Sequence, residues 1–341
     1  MYHPELNFED GNIILRALVR PEEPSEEPFH VSFRVHKSIL RMQSEVFDGM
    51  MEIPQPPAQD GNDGQIPVVD MLDDAAELIA MLKLIYHPEE ILRSSSVQTA
   101  FDNLALALPV IRKYQMDKLL QSCVARIHMD CPQTLEEWDM RDEKIALVKK
   151  TNDFPWVEHV VIEPAGIITL ARRVPEIHSL VPVAFYDLSC ADYTLDDTME
   201  IDGDSLGVYL ETGHIIVRRS LLAAEDLLIL WRGANAMKAE IYDTARNLES
   251  RLKLLQYYIN IPRDLSHVGC SQPIPGGLEK FISDILIDSI AMPSADPIAW
   301  MRIKANATYP DGMCRKCLGK GKNFLMRYRA YLWTKVPEFF S

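Results

Sequence analysis

The chain has 341 residues, of which 47% are hydrophobic and 25% charged, an ordinary balance for a globular protein that buries real cores. Its formal net charge of −15 argues against nonspecific binding to nucleic acid or to acidic membranes and favours basic or neutral partners. The length suits two or three domains at roughly 100–200 residues each.

Met1–Asp10 has no basic stretch followed by an apolar run, so no signal peptide is predicted. No apolar run approaches the roughly 18–20 residues that span a bilayer, so no membrane partner is expected. Six cysteines over this length do not make a disulfide framework. A reducing cytosol or nucleus is the expected setting, where cysteines serve as core, metal-binding or redox residues.

Asn12–Val19 is apolar and partly β-branched and reads as a first strand. Arg20–Pro28, rich in proline and glutamate, reads as an exposed loop. His30–His36 is a second strand, antiparallel to the first, because Phe33 and Val35 alternate with Arg34 and His36. After Lys37 the apolar residues change step. Ile39, Leu40, Val46, Phe47 and Met50 recur at helical offsets, and Ser44 stands where an N-cap belongs, with Glu45 in the first turn. Ile53–Gly64 carries prolines and two Asp-Gly pairs and reads as irregular, followed by a third strand at Ile66–Met71.

Asp73-Asp74 opens a helix with Leu78, Ile79, Leu82 and Ile85 as its inner stripe, stopped by His87-Pro88. Ser94–Ser96 caps the next, Val97–Tyr114, which Pro109 is expected to break or kink. Asp117 begins another, carrying Leu119, Leu120, Cys123 and Ile127.

Cys131-Pro132 marks a boundary, and the rest is predicted helical: Thr134–Thr151, Ala165–Arg173, Leu180–Cys190, and one or two helices over Leu221–Asn260. The last are expected to face inward through Leu227, Leu230, Trp231 and Ala234, then Ile241, Ala245, Leu248, Leu252 and Leu255. Asp192–Asp204 is acidic but lacks EF-hand spacing, so it reads as linker.

The sharpest chemical signal lies near the carboxyl end. Cys314-Arg315-Lys316-Cys317 is a C-x-x-C, and His267-Val268-Gly269-Cys270 precedes it. Two pairs with this spacing can present His267, Cys270, Cys314 and Cys317 to one structural Zn2+. Arg315, Lys316 and Lys320 would offset the thiolate charge. Chance or core packing is the main alternative; redox chemistry is a third reading, although no thioredoxin-like βαβ setting is visible. Lys320, Lys322, Arg327, Arg329 and Lys335 are interleaved with Phe324, Tyr328, Tyr331 and Trp333. That pattern can bind nucleic acid, but the helical spacing and the acidic whole favour a docked amphipathic helix. No G-x-S-x-G, H-E-x-x-H or dinucleotide fingerprint occurs, so no catalytic residue is assigned. Cys123 and Cys190 sit on apolar faces and are expected to be inert.

Phe33, Val35, His36, Lys37, Leu40, Ser44, Phe47 and Met50, with Tyr114, Met116, Leu119 and Cys123, follow a pattern that resembles the BTB/POZ domain over about residues 8–130. The likeness extends to BTB proteins of mushroom-forming fungi, which also carry paired cysteines in the tail. The resemblance implies an α/β domain with a small mixed sheet flanked by helices, followed by a mainly helical part at 131–262 and a helical segment at 263–341 with the zinc candidate. It implies homodimerisation through the first helix and the amino-terminal segment, an adaptor role, and in some members docking to a cullin scaffold. Leu72-Asp73 and Asp74–Glu77 imitate the cullin-contact pattern only poorly. A transcriptional regulator is the runner-up, weakened because Asn12 stands where such factors carry aspartate. An enzyme with an unfamiliar site in the helical part is the competing class.

Overall fold

The computed structural model describes residues 1–19, 27–53, 66–151, 161–191, 217–259, 277–291, 296–307 and 314–341. The irregular segments read at 20–28 and 53–64 lie largely outside these residues, and the acidic stretch 192–204 lies wholly outside. The chain forms two compact units. The first comprises Met1–Cys131 with Leu170–His178, the second Pro132–Thr169 with Ser179–Ser341.

The first unit is built on a mixed sheet in the order β1-β3-β2-β4. β2 (Ile13–Val19) and β3 (Phe29–Val35) pair antiparallel from Ile13↔Val35 to Val19↔Phe29. This register sends Leu15, Phe33 and Val35 into the core together, as period-2 alternation requires. β4 (Val68–Asp70) adds parallel to β2, and Arg16 fixes the join by donating to Asp70 Oδ2 at 2.8 Å. β1 (Tyr2–Asn7), parallel to β3, is a strand that sequence pattern did not foretell. Only Leu6 of its six residues is buried and Pro4 interrupts it, so it shows no alternation; an edge strand tolerates both. Gly11 turns the chain into β2, where a Cβ would lie 3.0 Å from the Arg34 backbone.

Helices cover this sheet as α1 (Lys37–Gln43), α2 (Glu45–Glu52), α3 (Ala75–Tyr86), α4 (Pro88–Leu92), α5 (Val97–Lys113) and α6 (Asp117–Asp130). The predicted caps do their work. Ser44 Oγ accepts from Phe47 N–H at 3.0 Å, Asp74 from Ala76 N–H at 2.8 Å, and Ser96 from Thr99 N–H at 3.2 Å. Pro109 does not break α5, which runs unbroken through it. The local cost of an internal proline, roughly 3 kcal/mol, is outweighed by the buried stripe Phe101, Leu104, Leu108 and Ile111 on either side. Residues 170–178 complete the unit through Arg173 to Glu77 (2.7 Å) and Glu176 to Arg112 (3.2 Å).

The second unit is helical: α7 (Leu135–Thr151), the start of α8 (Pro164–Arg173), α9 (Val181–Ser189), α10 (Ala224–Arg246), α11 (Leu248–Ile259), α12 (Gly277–Ala291), α13 (Pro297–Asn306) and α14 (Arg315–Phe339). α14 is the docked amphipathic helix expected from its spacing, with Phe324, Tyr328 and Leu332 wholly buried. The expected inner stripe is met at Leu230, Ile241, Ala245, Leu248, Leu252 and Leu255, all buried. It is not met at Leu227, which is exposed, or at Trp231, which is 65% exposed; Asp226, Gly233 and Met237 face inward instead. Gly233 lets Phe340 pack against α10, since a Cβ there would fall 2.2 Å from that ring.

Ser44 joins two parts of the first unit, because its hydroxyl also donates to the Tyr114 carbonyl while Phe47 stacks on the Tyr114 ring at 4.7 Å. Replacing it with alanine removes the cap and strands that carbonyl. Ser44→Ala is expected to cost about 1–2 kcal/mol in the urea unfolding of the first unit. An unchanged midpoint would contradict this role.

Candidate interaction site

His36 ends β3 and is held on three sides. Its backbone N–H donates to the Tyr86 hydroxyl at 3.0 Å, its Nδ1 lies 3.0 Å from the same oxygen, and its Nε2 lies 3.1 Å from Asp10 Oδ1. Phe8 stacks on Tyr86 at 4.6 Å and covers the imidazole. The histidine therefore locks the strand end to α3. Asn12 is likewise engaged, its Oδ1 accepting Lys37 N–H at 2.8 Å and capping α1 from the residue just before β2.

Among the apolar side chains that the first unit leaves uncovered, which include Met1, Ile53 and Met129, two lie on α1 and just before α3. On α1 only Leu40 is buried and Met42 is 74% exposed. Leu72, between β4 and α3, is 96% exposed, although Met71 before it is buried and Asp73 after it accepts from Lys113 and the Tyr114 hydroxyl, each at 2.6 Å. A leucine held in water by ordered neighbours has the form of a docking anchor. Sequence offered Leu72 only within a poor imitation of the cullin-contact pattern; its near-complete exposure is what the structure adds. Glu77, the glutamate nearest in sequence, is occupied by Arg173.

Of the four predicted metal ligands, His267 and Cys270 lie outside the described residues. Cys314 is the N-cap of α14, with its Sγ accepting Cys317 N–H at 3.4 Å, and Cys317 is 5% exposed inside the first turn. Among the described residues no group of three or more His, Cys, Asp or Glu side chains is arranged to hold a metal ion. Cys123 is buried, which pushes its thiol up to about 12, and Cys190 is pushed up by burial and then by Asp296 and Asp187. Neither thiol is suited to reaction at neutral pH.

The second unit hides a lattice of charge. Arg329, 1% exposed, places its guanidinium fork on both oxygens of Asp139, with Nη1 to Oδ2 at 2.8 Å, and its Nε donates to the Ile298 carbonyl at 3.1 Å. Arg302 reaches Asp142 (3.4 Å) and Glu143 (3.1 Å), and Arg141 reaches Asp187 (2.7 Å) while stacking on Trp138 at 4.4 Å. Asp296 accepts from Trp138 Nε1 at 2.9 Å, from the Tyr186 hydroxyl and from Ala299 N–H at 2.9 Å. Partners inside the unit engage most of these groups, the buried Arg141 Nε excepted, so the lattice reads as structural.

Residues 26–129 match the BTB/POZ domain, and this segment of the chain is a BTB/POZ domain. It has the small mixed sheet flanked by helices that the motif implied, followed by a helical region. No curated protein and no solved structure matches the chain. The domain places a protein-interaction role on the first unit, in a family that is typically not enzymatic. Among the described residues no helix is long and apolar enough to cross a membrane.

One member of the buried lattice titrates near neutrality. Burial, then the neighbouring Asp296, raises the Asp142 carboxyl to about 7, although Arg141 and Arg302 pull it down. With the folded value above the unfolded one, the folded state holds the extra proton between about pH 4 and 7. The group thus favours folding most at low pH, and that advantage is lost as pH rises through 7. Asp142→Asn cannot ionise and is expected to stabilise the second unit by about 1–3 kcal/mol at pH 8 and by little at pH 4. Thermal unfolding of both proteins at the two pH values checks this; a difference that does not grow with pH, or that favours aspartate at pH 8, would show the Arg302 contact to dominate.

Proposed function

We propose that this chain is a non-enzymatic adaptor in which residues 8–130 self-associate and dock to a scaffold, while residues 131–262 and 263–341 select a client. The reading includes a cytosolic or nuclear setting and a kinship with the BTB proteins of mushroom-forming fungi. The observation that carries it is a BTB/POZ domain with two exposed apolar anchors, Met42 on α1 and Leu72 before α3. Met42 lies on the helix through which such domains pair as homodimers. Leu72 offers the hydrophobic contact a cullin scaffold would take, although Glu77 is engaged by Arg173 and departs from the usual pattern.

The two anchors separate the two contacts. Met42→Asp is expected to weaken self-association about ten- to a hundredfold, seen as a shift from dimer to monomer in sedimentation at low protein concentration. Leu72→Asp is expected to leave the dimer intact and abolish capture of a purified cullin amino-terminal domain. A wild-type monomer would remove the homodimer, and wild-type protein that does not bind the cullin domain would remove the scaffold contact.

A structural Zn2+ on His267, Cys270, Cys314 and Cys317 belongs to the same reading. The support is local: an N-capping cysteine and a cysteine one turn later, with the N–H···S bond that such pairs use to orient thiolates. Native mass spectrometry is expected to show one zinc per chain, removed by a strong chelator and lost in Cys317→Ser. Metal-free protein after expression with added zinc would rule the site out.

A further inference from the structure

The outward face of α10 lacks the charged and polar cover that a surface helix ordinarily carries on its solvent side. Leu227, Leu228 and Trp231 are 40%, 44% and 65% exposed, and spacings of one residue and one turn put them on one side of the helix. One turn beyond, the Asn235 amide donates to the Trp231 carbonyl at 2.7 Å and is spent within the helix. The opposite side is anchored by the buried Leu230, Met237 and Ile241, so a fixed frame presents the three apolar side chains to water. An apolar cluster of this kind, with a tryptophan at its centre, has the chemistry of a contact surface.

The charges of α10 indicate what covers it. Its acids are matched: Glu240 and Asp243 take Arg251 at 2.8 and 2.6 Å, Asp226 accepts Ala223 N–H at 2.8 Å, and Glu225 stands in the first turn, where the helix dipole favours it. Among its cations, Arg246 is turned onto Tyr242, to whose hydroxyl it donates at 2.9 Å. Arg232 and Lys238 have no ion-pair partner among the described residues. The unmatched charge beside the apolar cluster is therefore positive, on a chain whose net charge is −15. At long range that net charge works against an acidic partner, but beyond a Debye length of about 8 Å it is largely screened, and at contact the two neighbouring cations decide. On the reading that residues 131–262 select a client, we propose that this face docks an acidic amphipathic helix of the client. The apolar side of that helix packs on Leu227, Leu228 and Trp231, and its carboxylates meet Arg232 and Lys238. A second copy of this chain fits less well, since it would bring the same two unmatched cations to the contact.

The test selects a phage-displayed library of random peptides of about 16 residues, roughly four turns of helix, on the full chain. Recovered peptides are expected to carry large apolar side chains three and four apart, with aspartate or glutamate beside them. A synthetic copy of the most frequent one, followed by fluorescence anisotropy, is expected to bind Trp231→Glu about tenfold or more weakly. The double variant Arg232→Glu/Lys238→Glu is expected to lose the same peptide and to gain a version with lysine in place of its acids. That exchange of preference is a gain of binding, which a misfolded variant cannot give. A library that yields no binder, or binders without acids, would overturn the proposal. Binding that survives Trp231→Glu would remove this face while leaving client selection by another part of the chain standing. A fall in oligomeric mass of Trp231→Glu in sedimentation would make a second copy the occupant and overturn the acidic helix.

Discussion

A single carboxylate, Asp296, ties three helices of the second unit into one body. It caps α13 through Ala299 N–H while accepting the Trp138 indole from α7 and the Tyr186 hydroxyl from α9. Trp138 and Tyr186 are buried and their donors would go unsatisfied without it, so the three helices share one condition for stability. Around this point the aromatic rings of Trp138, Tyr186 and Trp333 close at 5.2–6.1 Å. Arg141 and the Arg329–Asp139 pair extend the lattice outward from it. An apolar core of equal volume would hold as well, but it would accept many rotations of the helices; a lattice with fixed donors and acceptors accepts few.

The two units thus solve the folding problem differently. The BTB/POZ domain relies on a sheet whose alternation drives one face inward, with side-chain caps starting its helices. The helical unit relies on directional polar contacts between segments far apart in the chain. A domain of the first kind can leave apolar side chains such as Leu72 and Met42 in water, because its fold does not need them. That freedom is what an interaction module requires. The second unit leaves apolar side chains exposed as well, Trp231, Leu147 and Ile303 among them.

This difference also sets what could be read in advance. Ser44, Asp74 and Ser96 were legible as caps, and Phe33 and Val35 as one face of a strand, because each signal spans a few residues. The antiparallel pairing of β2 with β3 followed from the same local pattern. Arg329 and Asp139 were not legible as a pair, since 190 residues separate them and each alone looks like solvated charge. The inner stripe of α10 was legible at Leu230, Ile241 and Ala245, whereas the place of Gly233 was not, because it has no side chain to signal its direction. At the candidate site, Cys314-x-x-Cys317 stood out by spacing, but its place at a helix start and the unequal access of its sulfurs are tertiary facts. Leu72 was legible only within a weak motif, for exposure is a property of what fails to pack nearby.

The first unit is not one stretch of chain: it borrows residues 170–178, whose Val174 and Ile177 are fully buried and whose Arg173 and Glu176 hold Glu77 and Arg112. A fragment ending at residue 131 would therefore lack the partners of Glu77 and Arg112 and the side chains of Val174 and Ile177. Proteins recovered on such bait would include those that mimic residues 170–178. A screen for partners done with the excised domain would be answered first by the chain's own missing piece.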